Sequence, residues 1–154
     1  ETDLELVKSL YSHPSVIRWV DDGQPITSDE AVAWMKKTKA NYVKYGYGMF
    51  AIDDIKSYGT LGFGGIVHPN GQKTPEIKYA FKPDCWGLGL ATEFVNGLMN
   101  YAIETLQLTE VIATISPQNE ASRNVLLKSN FEFSHALQNE DGTVTDVYSN
   151  CSIK

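Results

Sequence analysis

Trp86-Gly87-Leu88-Gly89-Leu90-Ala91 follows a strand-like run, Glu76 to Phe81, and leads into a long helical stripe that starts near Thr92. Glycines at a strand-to-helix junction let the backbone approach a ligand closely. The helix N-terminus behind them offers unpaired N–H groups and the positive end of a dipole. The combination reads as an anion site, most often one for phosphate. Further on, Asn119-Glu120-Ala121-Ser122 and then Asn130-Phe131 mark the start and end of a second, shorter helix.

The rest of the chain sets the frame for that junction. A length of 154 residues suits one domain spanning 1–154, with enough chain to bury a core. Apolar residues make up 42% and charged residues 21%, the balance of an ordinary water-soluble globule. A formal charge of −6 argues against a nucleic-acid surface and favours cationic substrates. The two cysteines, Cys85 and Cys151, are too few for a disulfide scaffold, so a reducing, cytoplasmic setting is expected. Neither a leader-like segment nor a run of 18 apolar residues is present, so no membrane association is expected.

Periodicity orders the elements. Thr2-Asp3-Leu4-Glu5 reads as a capping box before a stripe of Leu4, Val7, Leu10 and Tyr11, which Pro14 is expected to end. Val16 to Val20 reads as a short second turn. Thr27-Ser28-Asp29-Glu30 opens a helix to about Tyr45, with Val32, Met35, Tyr42 and Val43 expected inward and Gly46 and Gly48 stopping it. Strands follow at Met49 to Ile52, Tyr58 to Val67 and Ile77 to Phe81, the last with period-two alternation. The helix after Gly89 carries Ala91, Val95, Leu98, Ala102 and Leu106 on one face. Glu110 to Ile115 reads as a central strand, Glu120 to Ser129 as a helix, and Phe131 to Leu137 with Thr143 to Ile153 as a hairpin over Asp141-Gly142. The expected order is ααβββαβαββ, an α/β (α+β) domain around a mixed sheet.

With these elements in order, the chain resembles the GNAT superfamily of N-acetyltransferases, and within it the branch that acetylates ribosomal-protein N-termini at serine or alanine. The resemblance spans roughly Thr2 to Tyr148. It rests on Leu61-Gly62-Phe63-Gly64-Gly65-Ile66, Glu76-Ile77-Lys78-Tyr79, Trp86 to Ala91, and Pro117 to Phe131. It implies a mostly antiparallel sheet flanked by helices and the use of acetyl-CoA, with no metal. The family pattern around the pyrophosphate is Gln/Arg-x-x-Gly-x-Gly/Ala; Trp86 stands in its first place, Gly89 in its glycine place and Ala91 at its end. By this resemblance Gly87, Leu88, Gly89, Leu90 and Ala91 hold the pyrophosphate through backbone amides. The pantetheine arm pairs with backbone near Ala80, Phe81 and Lys82, in a gap where Glu76 to Phe81 splays from Val111 to Ile115. Asn119 hydrogen-bonds the same arm.

Acetyl transfer to an amine needs loss of a proton from an ammonium (pKa about 10), a polarised thioester carbonyl, and a proton for the departing thiolate. Glu76 is the candidate base, directly or through a water; the competing reading is a solvated or salt-bridged strand-end carboxylate. Asp141 or Glu140 in the last hairpin is the alternative base, although turn chemistry also accounts for Asp141-Gly142. Ser122 falls where the ribosomal-protein branch carries a serine and is the candidate acid or thiol-end contact. An ordinary first-turn serine is the other reading. The tyrosine acid of many family members is replaced by Leu126, and Lys78 replaces the glycine usual after Glu-Ile.

His13, His68 and His135 lack metal-ligand spacing and read as surface or packing residues. Cys85 reads as a small buried hydrophobe, and Lys82 and Lys128 as within reach of a CoA phosphate. Trp19, Trp34, Tyr45 and Tyr47 line either the acceptor site or the core. The expected function is direct transfer of acetyl to a primary amine, a small molecule or a protein N-terminus, in a ternary complex. A non-catalytic acyl-CoA sensor or interaction module of the same fold is the alternative. Family members begin with a strand ahead of the first helix here. Either the chain is trimmed, or the edge beside Met49 to Ile52 is open and covered by a preceding segment or a second copy in a homodimer.

Overall fold

In the helix that follows Thr27, Ala31, Trp34 and Met35 recur at the three-and-four spacing of one helical face, and this is the face that turns inward. The computed structural model describes residues 2–20 and 23–150. Its elements are α1 Thr2–Leu10, α2 Pro14–Ile17, α3 Ser28–Tyr45, β1 Met49–Asp53, β2 Thr60–Val67, β3 Glu76–Phe81, α4 Leu90–Glu104, β4 Val111–Ile115, α5 Glu120–Lys128, β5 Glu132–Gln138 and β6 Val144–Asn150. Single 3-10 turns, Pro69–Gly71 and Pro83–Cys85, flank β3. The strands form a six-stranded sheet in the order β1-β2-β3-β4-β6-β5; the β3–β4 pairing is parallel, and β1–β2, β4–β6 and β5–β6 are antiparallel. This is the expected mixed fold.

The chain divides into two compact units. The first comprises Glu1–Val67 with Lys78–Trp86. Its core joins Val7, Leu10, Val16, Ala31, Met49, Phe63 and Ala80. Trp34 stacks edge-on to Phe63 at 5.8 Å between centroids and lies 6.1 Å from Tyr11, so Trp34 is a core residue. Of the side chains expected to point inward from α3, Met35 does, and Tyr42, though partly exposed, donates its hydroxyl to the Met49 carbonyl at 3.2 Å, but Val43 is 90% exposed and Val32 is exposed too. The stripe that packs is built on the small Ala31 and on Trp34. α1 ends at Leu10, ahead of Pro14, and Pro14 opens α2 at its first position, where a missing N–H leaves no bond unmade. β2 starts two residues later than expected, because Tyr58 (φ 56°) closes a turn whose Asp54 carboxylate accepts from Lys56 N and Ser57 Oγ.

Gly62 lies where β2 runs against the end of β3. A Cβ there would fall 2.1 Å from the Ala80 carbonyl oxygen and 2.9 Å from Phe81 Cα, both backbone atoms that cannot swing away. The Lys82 amide completes this contact by donating to the Leu61 carbonyl at 2.8 Å.

The second unit comprises His68–Ile77 with Gly87–Lys154. Its buried apolar residues include Val95, Leu98, Met99 and Ala102 of α4, Val111 and Ala113 of β4, Leu126, Phe131, Val147 and Tyr148. The expected stripe of α4 therefore holds at its centre, with Met99 added. β3 departs from simple alternation: Glu76 and Ile77 are both buried, as are Ala80 and Phe81 at its other end. The final hairpin closes through Asn139 N to Thr143 O at 2.9 Å. Every residue of β5 is exposed, including Phe133 and Leu137, and the ladder skips a residue between Phe133 and His135. The expected extension of β6 to Ile153, and Cys151 with it, lies outside the described residues, as does the side chain of Thr2 in the first capping box.

Candidate active site

Helix N-termini expose amides that a side chain usually satisfies. His13 caps α2 by accepting from Ser15 N, Thr27 caps α3 in a reciprocal box with Glu30, and Asn119 caps α5 by accepting from Ser122 N. Among the described helix starts, only α4 has no side-chain cap, because its N-cap is Gly89. Gly89 sits at φ 78° and Gly87 at φ 75°, left-handed conformations that glycine adopts without the Cβ penalty. Gly87, Leu88 and Gly89 are exposed, and a Cβ at either glycine would meet nothing within 4 Å. The first turn of α4 thus presents amides, a dipole end and open space. The residues present fit a pyrophosphate.

Glu76, at the start of β3, is 2% exposed. Its Oε1 accepts from the Thr114 hydroxyl at 2.5 Å and its Oε2 from the Gln72 carboxamide at 3.2 Å. The same Gln72 nitrogen donates to Thr74 O at 2.9 Å, and the Gln72 carbonyl lies 2.9 Å from His68 Nδ1. Glu76 is therefore neither solvated nor at a frayed strand end. His68 is a packed residue, as expected. Sequence reasoning missed Gln72 and Thr114. The usable signal was register: β3 and β4 are parallel with Glu76 opposite Ile112, and residue 114 shares the face of residue 112.

Asn119 is 8% exposed, and its Oδ1 accepts from Ser122 N at 3.1 Å. Ser122 is half-buried in the first turn of α5. Asp141 sits at the exposed hairpin tip. The Thr143 hydroxyl (2.7 Å) and then the Thr143 amide (2.9 Å) bond its carboxylate and hold its pKa below the ordinary aspartate value. Hydrogen bonding thus sorts these residues into three local groups: Glu76 with Gln72 and Thr114, Asn119 with Ser122, and Asp141 with Thr143.

At the far end of β3, Ala80 and Phe81 are buried. The Trp86 indole, 46% exposed, donates from Nε1 to the Phe81 carbonyl at 2.9 Å. Cys85 N to Lys82 O and Trp86 N to Pro83 O close the turn between them, and Cys85 is a half-buried free thiol. Tyr45 and Tyr47 stack at 5.8 Å. Burial, and then the neighbouring Tyr45, push the Tyr47 phenol above its ordinary value. Leu126, in the place of the tyrosine acid, is fully buried. Among the described residues, no group of three or more His, Cys, Asp or Glu side chains is arranged to hold a metal ion, and no helix is long and apolar enough to cross a membrane.

The chain belongs to the GNAT acetyltransferase family: residues 1–132 match the Acetyltransferase (GNAT) domain. Over 157 aligned residues it is 27% identical to the uncharacterized N-acetyltransferase YoaA of Bacillus subtilis, covering 97% of this chain and 88% of that protein. The fold matches a GnaT-family acetyltransferase from Bordetella pertussis with a TM-score of 0.82 at 18% identity, over 97% and 90% of the two chains. It also matches AAC(6')-Ib in complex with ribostamycin and coenzyme A, with a TM-score of 0.80 at 13% identity over 97% and 88%. The chain is an N-acetyltransferase, and acetyltransferases of this fold draw acetyl from acetyl-CoA.

Proposed function

We propose that the chain transfers acetyl from acetyl-CoA directly to a primary amine bound at the same time, with Glu76 as the proton acceptor. The observation that carries the reading is the start of α4, where glycine replaces a side-chain cap and leaves amides exposed for a pyrophosphate. Gly87 to Ala91 hold that group. The Asn119 carboxamide, fixed by its own capping bond, meets the pantetheine arm. Backbone near Ala80, Phe81 and Lys82 serves the pantetheine arm as well, as the family resemblance implies.

Acetyl-CoA supplies an activated thioester, so the protein has to manage protons and position. Glu76 takes a proton from the acceptor ammonium, directly or through a water, and frees the lone pair for attack. Asp141 is a weaker candidate for that role, because it sits at the exposed tip of the last hairpin, where its bonds to Thr143 are those of the turn itself. Ser122, half-buried in the first turn of α5, supplies a hydroxyl for the departing thiolate. Buried Leu126 offers no proton there.

The acceptor class follows from charge: an acidic protein (−6) with a carboxylate base suits an ammonium, whether on a small polyamine or on a peptide N-terminus. The ribosomal-protein-like motifs favour the peptide. The test is calorimetric titration with acetyl-CoA, then thiol release with spermidine, kanamycin and a Ser-Ala-initiated peptide, comparing the wild type with Glu76→Gln. Micromolar binding with turnover that the variant loses at least about 100-fold supports the reading. Wild-type turnover in Glu76→Gln would reassign the base. Binding without turnover on any acceptor would leave a CoA-binding module.

A further inference from the structure

A glutamate in a core needs a reason. Out of water, a carboxylate needs donors that replace its lost hydration. Thr114 and Gln72 are both uncharged, and each takes one carboxylate oxygen of the buried Glu76. The terminal torsion of a glutamate is broad and two-fold when unrestrained, so donors on separate oxygens select one orientation of the carboxylate plane. Each donor is itself held. Gln72 is tied to the Thr74 carbonyl and, through its own carbonyl, to His68. Thr114 lies on β4, which is paired on both sides in the sheet.

We propose that Thr114 and Gln72 are positioning residues for Glu76, aiming its carboxylate for proton transfer. The proposal rests on the reading of Glu76 as the proton acceptor. Neither residue needs to touch an amine or acetyl-CoA. Their contribution is to keep one carboxylate geometry in place between turnovers, the part that supporting hydrogen bonds play around a reacting group.

The experiment compares Thr114→Val, Thr114→Ser, Gln72→Ala, Glu76→Gln and the double variant Thr114→Val/Glu76→Gln. Thiol release is followed with acetyl-CoA and whichever of spermidine, kanamycin or the Ser-Ala peptide turns over. In the ligand-free protein, the carboxyl 13C resonance of Glu76, assigned by its loss in Glu76→Gln, is recorded for each variant. Thr114→Val and Gln72→Ala are expected to lower kcat about 10-fold with the KM for acetyl-CoA unchanged, and to move the Glu76 resonance. Thr114→Ser, which keeps the hydroxyl, should restore both. In the Glu76→Gln background Thr114→Val should cost less than about 2-fold, because there is no longer a base to aim.

Four outcomes would overturn the proposal. Wild-type kcat in Glu76→Gln removes both the base reading and the proposal. A loss confined to Glu76→Gln, with Thr114→Val and Gln72→Ala at wild-type kcat, removes the positioning role alone. An equal loss from Thr114→Val with and without Glu76 shows that the threonine acts elsewhere. An unmoved resonance in both Thr114→Val and Gln72→Ala overturns it whatever the acceptor. Should Thr114→Val fail to fold by circular dichroism, Gln72→Ala carries the same test at the other oxygen.

Discussion

Gly89→Glu separates folding from cofactor binding at one position. Gly89 holds φ 78°, and a Cβ built there has no neighbour within 4 Å, so the new side chain has room. The left-handed backbone costs a non-glycine residue about 1–2 kcal/mol. A carboxylate at the start of α4 recovers about 0.3–1 kcal/mol from the helix dipole. The net is about 1 kcal/mol, which for a chain of this length lowers the melting temperature by roughly 2–4 °C. A bound pyrophosphate would face the same carboxylate as a like charge. At about 4 Å and an effective dielectric near 20, one such pair costs about 4 kcal/mol, or roughly 1,000-fold in affinity. Scanning calorimetry reads the first number and isothermal titration with acetyl-CoA reads the second. Gly89→Ala carries the backbone strain without the charge and should keep most of the affinity. A Gly89→Glu protein that melts within about 4 °C of wild type and binds acetyl-CoA within 10-fold of it would refute the assignment of this turn to the pyrophosphate.

Other perturbations test the fold that carries the site. Gly62→Ala drives a methyl into the Ala80 carbonyl and should cost about 3 kcal/mol, the upper end of overpacking, lowering the melting temperature by roughly 6–12 °C; a shift under 2 °C would contradict the close approach of β2 and β3. Leu126→Ala empties a fully buried position and should cost about 3 kcal/mol in urea unfolding, whereas Val43→Ala, at an exposed one, should stay within about 0.5 kcal/mol. Glu30 accepts from the Thr27 amide and hydroxyl, which lower its pKa in the folded protein. The capping stabilisation is therefore fully present above the unfolded glutamate value and is lost as pH falls through the lowered folded value. An NMR titration in which Glu30 protonates at or above the ordinary glutamate range would contradict the capping box.

Local pattern carried much of this protein. The glycine turn before α4, the capping box at Thr27, the Asp141-Gly142 reversal and the order of strands and helices all lie within windows of a few residues, where backbone preference and hydrophobic period act directly. Pattern was less reliable where two faces compete. On α3 the valines Val32 and Val43 face solvent, and the buried stripe runs through Ala31, Trp34 and Met35.

The sequence by itself determines the family-bearing skeleton: a glycine-opened helix after a strand, an asparagine-capped helix after the next strand, and a glutamate at the head of β3. Only the tertiary structure decides what that glutamate is. Thr114 lies 38 residues along the chain from Glu76 and reaches it only because β3 and β4 pair in parallel at one particular register. Register is set by packing across the sheet, not by the residues on either side of Glu76. Burial, partners and orientation of the side chain are therefore properties of the fold, whereas turns and caps are written locally, in the torsional preferences of a few neighbouring residues.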